Sequence, residues 1–333
     1  ESDAVRAAFD QGVEGLLDRL AASDDVDAAA WLGAFESFLH AHGARAQNEY
    51  DLISRSWEVR PEIALSAIDL MRRSDESQSP AARNATSVAE RDRSAAEIRE
   101  LIADDAEAAG TFEAALQSSK VFLSGRERAK TNVVIVINEM RVALREYGRR
   151  LVERGVIDEV EQVFMVTDRE LDQLRFEEAS FSETIRDRWA RSRVLFERRP
   201  GFIVNGRVPS LDEMTLRADE DADQVGSGTV LSGAAGSGGS ATGRARVVLD
   251  AADPTALEPG DVLVAPQTDP SWVPLFVAAS AVVVDVGALG SHAMIVSREL
   301  GIPCVASVED ATKRIPDGAT VTVDGNTGTV TVH

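Results

Sequence analysis

The stretch Val282–Ser307, VVVDVGALGSHAMIVSRELGIPCVAS, decides how this chain is read. A β-branched hydrophobic run, the signature of a buried strand, ends at Asp285. Gly287-Ala288-Leu289-Gly290 follows as a loop, and Ser291 stands where a helix N-cap belongs, with His292 in the first turn. The 333 residues include only 4 His, so one set at the tip of a glycine loop asks for a chemical reason. An imidazole has a reference pKa of about 6.5 and offers a free ring nitrogen near neutral pH, a nucleophile able to attack phosphorus. A phosphoryl group carried there meets the first amides of the following helix and the positive end of its dipole. Gly287 and Gly290 let the backbone approach closely and leave the ring uncovered. Arg298 lies at a different angle on the helix and is not assigned to the phosphate. Taken alone, the same residues also fit an N-cap serine followed by a surface histidine.

Outward from this stretch the pattern stays short-period. ATGRARVVLD (241–250), GDVLVAP (260–266), SAVVVDVG (280–287), IPCVAS (302–307) and GATVTVDGNTGTVTV (318–332) read as strands between Gly, Pro and Asp turns. DPSWVPLFVAA (269–279) and SHAMIVSREL (291–300) read as helices between them. Residues 227–333 are thus expected to form one mixed α/β (β/β/α) domain of ordinary size.

Residues 1–226 differ in composition. They hold 30 Lys/Arg and 45 Asp/Glu, against 5 and 11 in residues 227–333. The crossover follows the acidic linker LRADEDADQVGSGTV (216–230), and the domain boundary is placed there, giving domains 1–226 and 227–333. The first part has helical periodicity. VRAAFDQGVEGLLDRL (5–20) reads as one helix, DAAAWLGAFESFLHAHG (27–43) as a second ending at a C′ glycine, and PEIALSAIDLMRR (61–73) as a third with Pro61 at N1. SDESQSPAARNATS (74–87) reads as a polar connection, then long helices from about Val88 to Arg154 with a break near Ser124-Gly125. Thr167-x-x-Glu170 and Ser180-x-x-Glu183 have capping-box spacing and predict two further helix starts.

Composition narrows the function. The net charge of -21 excludes nucleic acid and anionic membrane as natural partners, and no apolar run is long enough to span a bilayer. No signal peptide is read, and the start at Glu1 suits a piece of something longer. A lone cysteine, Cys304, forms no internal disulfide, so a cytoplasmic setting is expected and the thiol is read as a core residue. Only Lys120, Lys130 and Lys313 are lysines among 35 basic residues, a bias that suits either a GC-rich genome or a salty cytoplasm.

The ordered set Asp285-x-Gly287-Ala288-x-x-Ser291-His292-Ala293-x-Ile295-x-x-Arg298-Glu299-Leu300-Gly301-Ile302-Pro303 resembles the phosphohistidine swivelling domain of the phosphoenolpyruvate-utilising phosphotransferases. Gly233-x-x-x-Ser237-x-Gly239-x-x-x-Gly243, PGDVLVAPQTDPSW and DGATVTVDGNTGTV extend the resemblance over Gly233–Val332. Ala288 departs from it where a second glycine is usual, as does Gly290 where a larger residue often stands. The resemblance implies that His292 takes the β-phosphoryl of ATP from an ATP-grasp domain and hands it on after the domain swings. The chain ends about 40 residues past His292, too few for the pyruvate-binding barrel of some relatives.

FLHAHGARAQNEYDLISRSWEVRP and the run from Arg126 through VFMVTDREL resemble the helical acceptor domain of rifampicin phosphotransferases and their relatives. The fold expected is therefore multi-domain: an all-α acceptor domain, then the swivelling phosphohistidine domain. Arg126 and Lys130 stand at i, i+4 and point off one helical face, where two cations can receive a phosphoryl group in flight. Arg45 and Glu49 are candidates to complete the site, with the carboxylate as base toward an acceptor hydroxyl. Each of these also fits an ordinary salt bridge. Trp31, Phe35, Phe38, Tyr50, Trp57, Phe122 and Met140 are more often core than pocket, yet an aromatic or polyketide acceptor needs such a lining.

No phosphate-binding glycine loop with lysine and no metal-carboxylate cluster is found, so ATP and Mg²⁺ are expected to come with an ATP-grasp domain or subunit. The partners expected are that domain and a small-molecule hydroxyl acceptor. Three alternatives stay open: a subunit of a phenol- or cresol-phosphorylating enzyme, a phosphocarrier or regulatory histidine module, and a non-catalytic interaction protein.

Overall fold

The computed structural model describes residues 2–73, 79–200, 204–216, 224–249, 251 and 257–333. They group into two compact units, one of Glu1–Glu49, Arg55–Val134 and Gln224–His333, the other of Tyr50–Ser54 and Ile135–Asp223. The first unit thus holds residues from both sides of the expected boundary at 226/227.

In the first unit, the single helix expected over residues 5–20 is two: α1 (Asp3–Asp10) and α2 (Leu16–Ala21). Gly12 (φ 95°) and Gly15 (φ 65°) turn left-handed between them, a conformation glycine adopts without a Cβ penalty. Asp25 caps α3 (Val26–His42) by accepting from the amides of Asp27 and Ala28. Gly43 ends that helix in right-handed backbone, not as a left-handed C′ residue. It is needed for space, since a Cβ there would lie 2.3 Å from the Leu39 carbonyl oxygen. Pro61 opens α4 (Pro61–Arg72) as expected. Phe9, Leu16, Leu20, Phe35 and Leu65 make the core under these helices.

The polar stretch 74–87 is helical from Pro80, contrary to the reading as a connection; its residues 74–78 lie outside the described set. Ser79 caps α5 (Pro80–Leu101) from the Ala82 amide, and Pro80 takes a first-turn position. A polar composition predicts loop only when no cap and no helix-forming alanines accompany it. The expected break at Ser124-Gly125 is also displaced. α6 (Ala106–Glu153) runs unbroken through it, and the chain turns instead just before Asp105, whose carboxylate accepts from the amides of Glu107 and Ala108.

The second unit has its core at Leu151, Val156, Ile157, Val163, Leu174 and Ile185. Thr167 and Glu170 form the expected capping box at α7 (Asp168–Leu174). α8 (Glu178–Phe196) starts before Ser180, whose hydroxyl donates to the Glu177 carbonyl inside the first turn, so that capping-box assignment is corrected. β1 (Arg198–Arg199) and β2 (Thr215–Leu216) pair antiparallel.

The sheet belongs to the first unit. Its strands are β3 (Val230–Ser232), β4 (Ala234–Ser237), β5 (Ser240–Val247), β6 (Val262–Ala265), β7 (Ala281–Val284), β8 (Cys304–Ala306), β9 (Thr320–Asp324) and β10 (Thr329–Val332). They line up in the order β3-β10-β9-β5-β6-β7-β8-β4. β5 through β8 run parallel, and the remaining pairs are antiparallel. The parallel strands β6, β7 and β8 are buried on both faces, which is why they read as continuous apolar runs. α9 (Val273–Ala278) lies between β6 and β7, α10 (His292–Leu300) between β7 and β8, and α11 (Ala311–Arg314) between β8 and β9.

The core beside α9 and α10 includes Leu263, Trp272, Leu275, Phe276, Met294 and Cys304, and it also takes in Leu70 from the last turn of α4. Leu70 is 1% exposed. A second fastening joins the Ser87 hydroxyl of α5 to the Glu299 carbonyl at 3.3 Å. Among the described residues no helix is long and apolar enough to cross a membrane.

Candidate active site

β7 delivers the chain to Asp285, which is not free to do chemistry. It accepts from the amide and hydroxyl of Thr312 and so anchors α11. The Gly287 backbone packs where a Cβ would stand 2.9 Å from the Ala306 Cβ and 3.0 Å from the Ser291 hydroxyl. Nothing lies within 4 Å of a Cβ at Gly290, so its expected need for close approach is not borne out by the space around it. Arg298 ties the loop down from α10: its guanidinium donates to the carbonyls of Gly236 (2.7 Å) and Leu289 (3.0 Å). It braces the loop that carries the histidine.

Ser291 is the N-cap of α10 by backbone, yet its side chain makes no cap hydrogen bond. The hydroxyl oxygen is shielded from solvent. His292 follows in the first turn, half-buried, with its ring edge-on to Phe276 at a centroid distance of 5.7 Å. Its Nδ1 is 3.0 Å from the Thr268 hydroxyl oxygen. If Nδ1 carries the ring proton and donates to that oxygen, Nε2 keeps its lone pair. In the sequence Thr268 stands inside PGDVLVAPQTDPSW with nothing to mark a role. Its signal was there only as a threonine one strand away from the histidine, and spacing cannot show that pairing.

Burial first, then nearby Lys130, with Glu49 opposing them, together lower the pKa of His292 to about 4. The imidazole is therefore neutral at neutral pH, which a nucleophile requires. Lys130 and Glu49 are thus within electrostatic reach of the ring, although both come from the helical part.

Glu49 is 2% exposed. Its carboxylate pairs with Arg45 at 2.7 Å and with Lys130 at 2.9 Å. Arg45 also donates to the Thr131 hydroxyl at 3.2 Å. The fold therefore brings Arg45, Glu49 and Lys130 together near His292. Arg126, one turn earlier on α6, does not join them: it is largely exposed and pairs with Glu127 at 3.2 Å. The i, i+4 spacing put both cations on one face but could not tell which one met the buried carboxylate.

The segment holding Arg45 and Glu49 is fixed by backbone bonds from Trp57 to Arg45 and from Glu58 to Gly43. Asn48 adopts left-handed backbone (φ 51°), and its amide donates to the Asp269 carboxylate at 3.3 Å. Phe35 is buried, and Trp31, Phe35, Phe38 and Trp57 stack on one another, so these rings serve the core. Tyr50, Phe122 and Met140 are exposed. Cys304 is buried, and burial raises its thiol to about 11, leaving it unreactive as read from sequence. Among the described residues no group of His, Cys, Asp and Glu has the makings of a metal site.

The site is thus a neutral histidine on a glycine loop at a helix start, beside a parallel sheet. Two family descriptions match the chain: the mobile domain of PEP-utilising enzymes at residues 257–328 and the fourth domain of rifampicin phosphotransferase at residues 1–127. Rifampicin phosphotransferase of Streptomyces sviceus is 31% identical over 314 residues, covering 90% of this chain and 34% of that protein. Its counterpart from a Streptomyces species is 32% identical over 338 residues, covering 96% and 37%. The uncharacterized phosphotransferase YvkC of Bacillus subtilis is 34% identical over 198 residues, covering 58% and 23%. Over both matched stretches the chain is similar to the PEP-utilising phosphotransferases. It spans about a third of the length of the rifampicin phosphotransferases it matches.

Proposed function

We propose that this chain is the acceptor-binding and phosphohistidine portion of an ATP-dependent phosphotransferase acting on an organic hydroxyl. The observation that carries the reading is the neutral His292, with Nδ1 engaged by Thr268 and Lys130 and Glu49 within electrostatic reach. In the first half-reaction the Nε2 lone pair attacks the β-phosphorus of ATP, held by an ATP-grasp domain or subunit together with Mg²⁺. A P–N bond to His292 forms as AMP leaves, and water then cleaves the β–γ linkage, releasing phosphate and leaving a single phosphoryl group on the ring. On this reading the amides opening α10 receive the phosphoryl oxygens.

In the second half-reaction an acceptor oxygen attacks that phosphorus. The P–N bond breaks, its electron pair returns to Nε2, and the imidazole is again neutral. Glu49 takes the acceptor proton, while Lys130 and Arg45 offset the charge on the equatorial oxygens. The Glu49 pairs with both cations favour this division of labour over Arg126, which we give no part. The docked arrangement of histidine and helices corresponds in this reading to the acceptor-side state, and the histidine domain swings away to be charged. The relatives' name makes rifampicin the first acceptor to try.

The test uses an ATP-grasp partner and ATP labelled at the β-phosphorus. The wild-type chain gains an acid-labile, alkali-stable phosphate, and His292→Ala gains none. Glu49→Gln still takes label but fails to pass it to rifampicin or phenol. Normal labelling of His292→Ala sinks the mechanism; discharge of label to water alone marks a carrier without an acceptor.

A further inference from the structure

Two consecutive residues hold the two halves of this site. Thr268 meets His292 Nδ1, and Asp269, the next residue, meets the backbone that carries Glu49. We infer that Asp269 is a positioning residue, setting the Glu49 segment in register with the histidine it must work beside. The inference rests on the phosphotransfer reading above.

The Asp269 carboxylate divides its work between its oxygens. Oδ1 accepts from the amide of Ser271 at 2.8 Å and from its hydroxyl at 2.6 Å, capping the turn that leads into α9. Oδ2 accepts from the Asn48 amide at 3.3 Å. Asn48 is left-handed, a conformation that costs a non-glycine residue free energy and that asparagine tolerates better than most. Such a backbone persists where its surroundings fix it. The residue after it is Glu49, so the amide gripped by Asp269 lies one peptide from the buried carboxylate. Thr268 and Asp269 share a backbone, and the ring orientation and the Glu49 placement are thereby referred to one rigid point. A misplacement of about 1 Å at a reacting centre can cost on the order of a hundredfold in rate.

The division of oxygens makes the idea separable from general stability. In Asp269→Asn, the single remaining oxygen stays with the cap, where it has two donors, and asparagine is a good N-cap. The new NH₂ group then faces the Asn48 amide, donor against donor. The full chain is examined by peptide-resolved hydrogen exchange and by the two half-reactions. The amides of Ala44–Glu49 should exchange about tenfold faster in the variant, with the α9 amides unchanged. His292 should take label at the wild-type rate, while discharge to rifampicin or phenol slows about tenfold or more. Unchanged exchange at Ala44–Glu49 overturns the proposal, and so does labelling that falls in step with discharge. If the wild-type chain takes no label or finds neither probe an acceptor, the phosphotransfer reading fails instead, and exchange alone decides on Asp269.

Discussion

At His292 the ring is desolvated, and protonation is disfavoured before any partner is considered. The sign of the pH effect follows. The unfolded imidazole binds a proton below about 6.5, whereas the folded one does so only below about 4. Between those values the unfolded state holds more protons, so stability rises with pH through this window and is flat above it. The full shift corresponds to at most about 3.5 kcal/mol. His292→Gln should therefore flatten the acid side of a denaturation-versus-pH curve between about pH 4 and 6.5, without changing its slope at pH 8; an unchanged curve would refute the burial argument. Thr268 makes a second prediction at this scale. Thr268→Val removes the hydroxyl that orients the ring, and labelling of His292 should slow on the order of ten- to a hundredfold, with Thr268→Ser restoring most of it. Equal rates in all three would leave Thr268 a bystander. The histidine was legible in the sequence because its whole neighbourhood is local: strand end, loop and helix start occupy consecutive positions. Thr268 was not, because the contact joins the ends of two different strands. That Lys130 and not Arg126 pairs with Glu49 is illegible for a related reason, since helical spacing gives a direction but not what stands in that direction.

At the scale of elements, the His292 loop makes unequal demands on its two glycines. A methyl at Gly287 would press on Ala306 and Ser291, whereas one at Gly290 would enter open space in ordinary backbone. Gly287→Ala should cost about 1–3 kcal/mol in denaturant melts and slow phosphoryl uptake, while Gly290→Ala should be near neutral in both. The reverse order would mean that the loop moves on folding in a way its packing does not suggest. The helices were legible to the extent that capping and periodicity agreed: Pro61 at N1 of α4 and the Thr167/Glu170 box of α7 lie where read. They were illegible where one cue outvoted another. Gly125 suggested a break that the neighbouring turns of α6 override, because one mid-helix glycine costs only about 1 kcal/mol. The polar run before α5 hid a serine cap and a first-turn proline. The strands were the easier part, since β-branched runs buried on both faces leave few other readings.

For the molecule as a whole, the contact through Leu70 sets how firmly the histidine part is held on the helices. Leu70→Asp places a carboxylate among Trp272, Leu275 and Phe276, where burying it unpaired costs several kcal/mol. The prediction is that this variant still takes label at His292 from an ATP-grasp partner, since the proposed function has that step occur with the domain undocked, but discharges slowly to an acceptor. It should also show faster hydrogen exchange in α9 and in the last turn of α4. Wild-type discharge would mean that the seam does not govern access to the acceptor side.

Leu70 also bears on how such a protein can be taken apart. The apolar interior bounded by α9 and α10 is completed by Leu70, a side chain from far earlier in the chain. A histidine domain lifted out at Gln224 and joined to another member's helices arrives with a socket cut for a leucine it has left behind. Exchange of parts between relatives, in the laboratory or over generations, therefore has to carry the last turn of α4 along or find its equivalent. The heritable module is larger than the stretch of sequence that announces it.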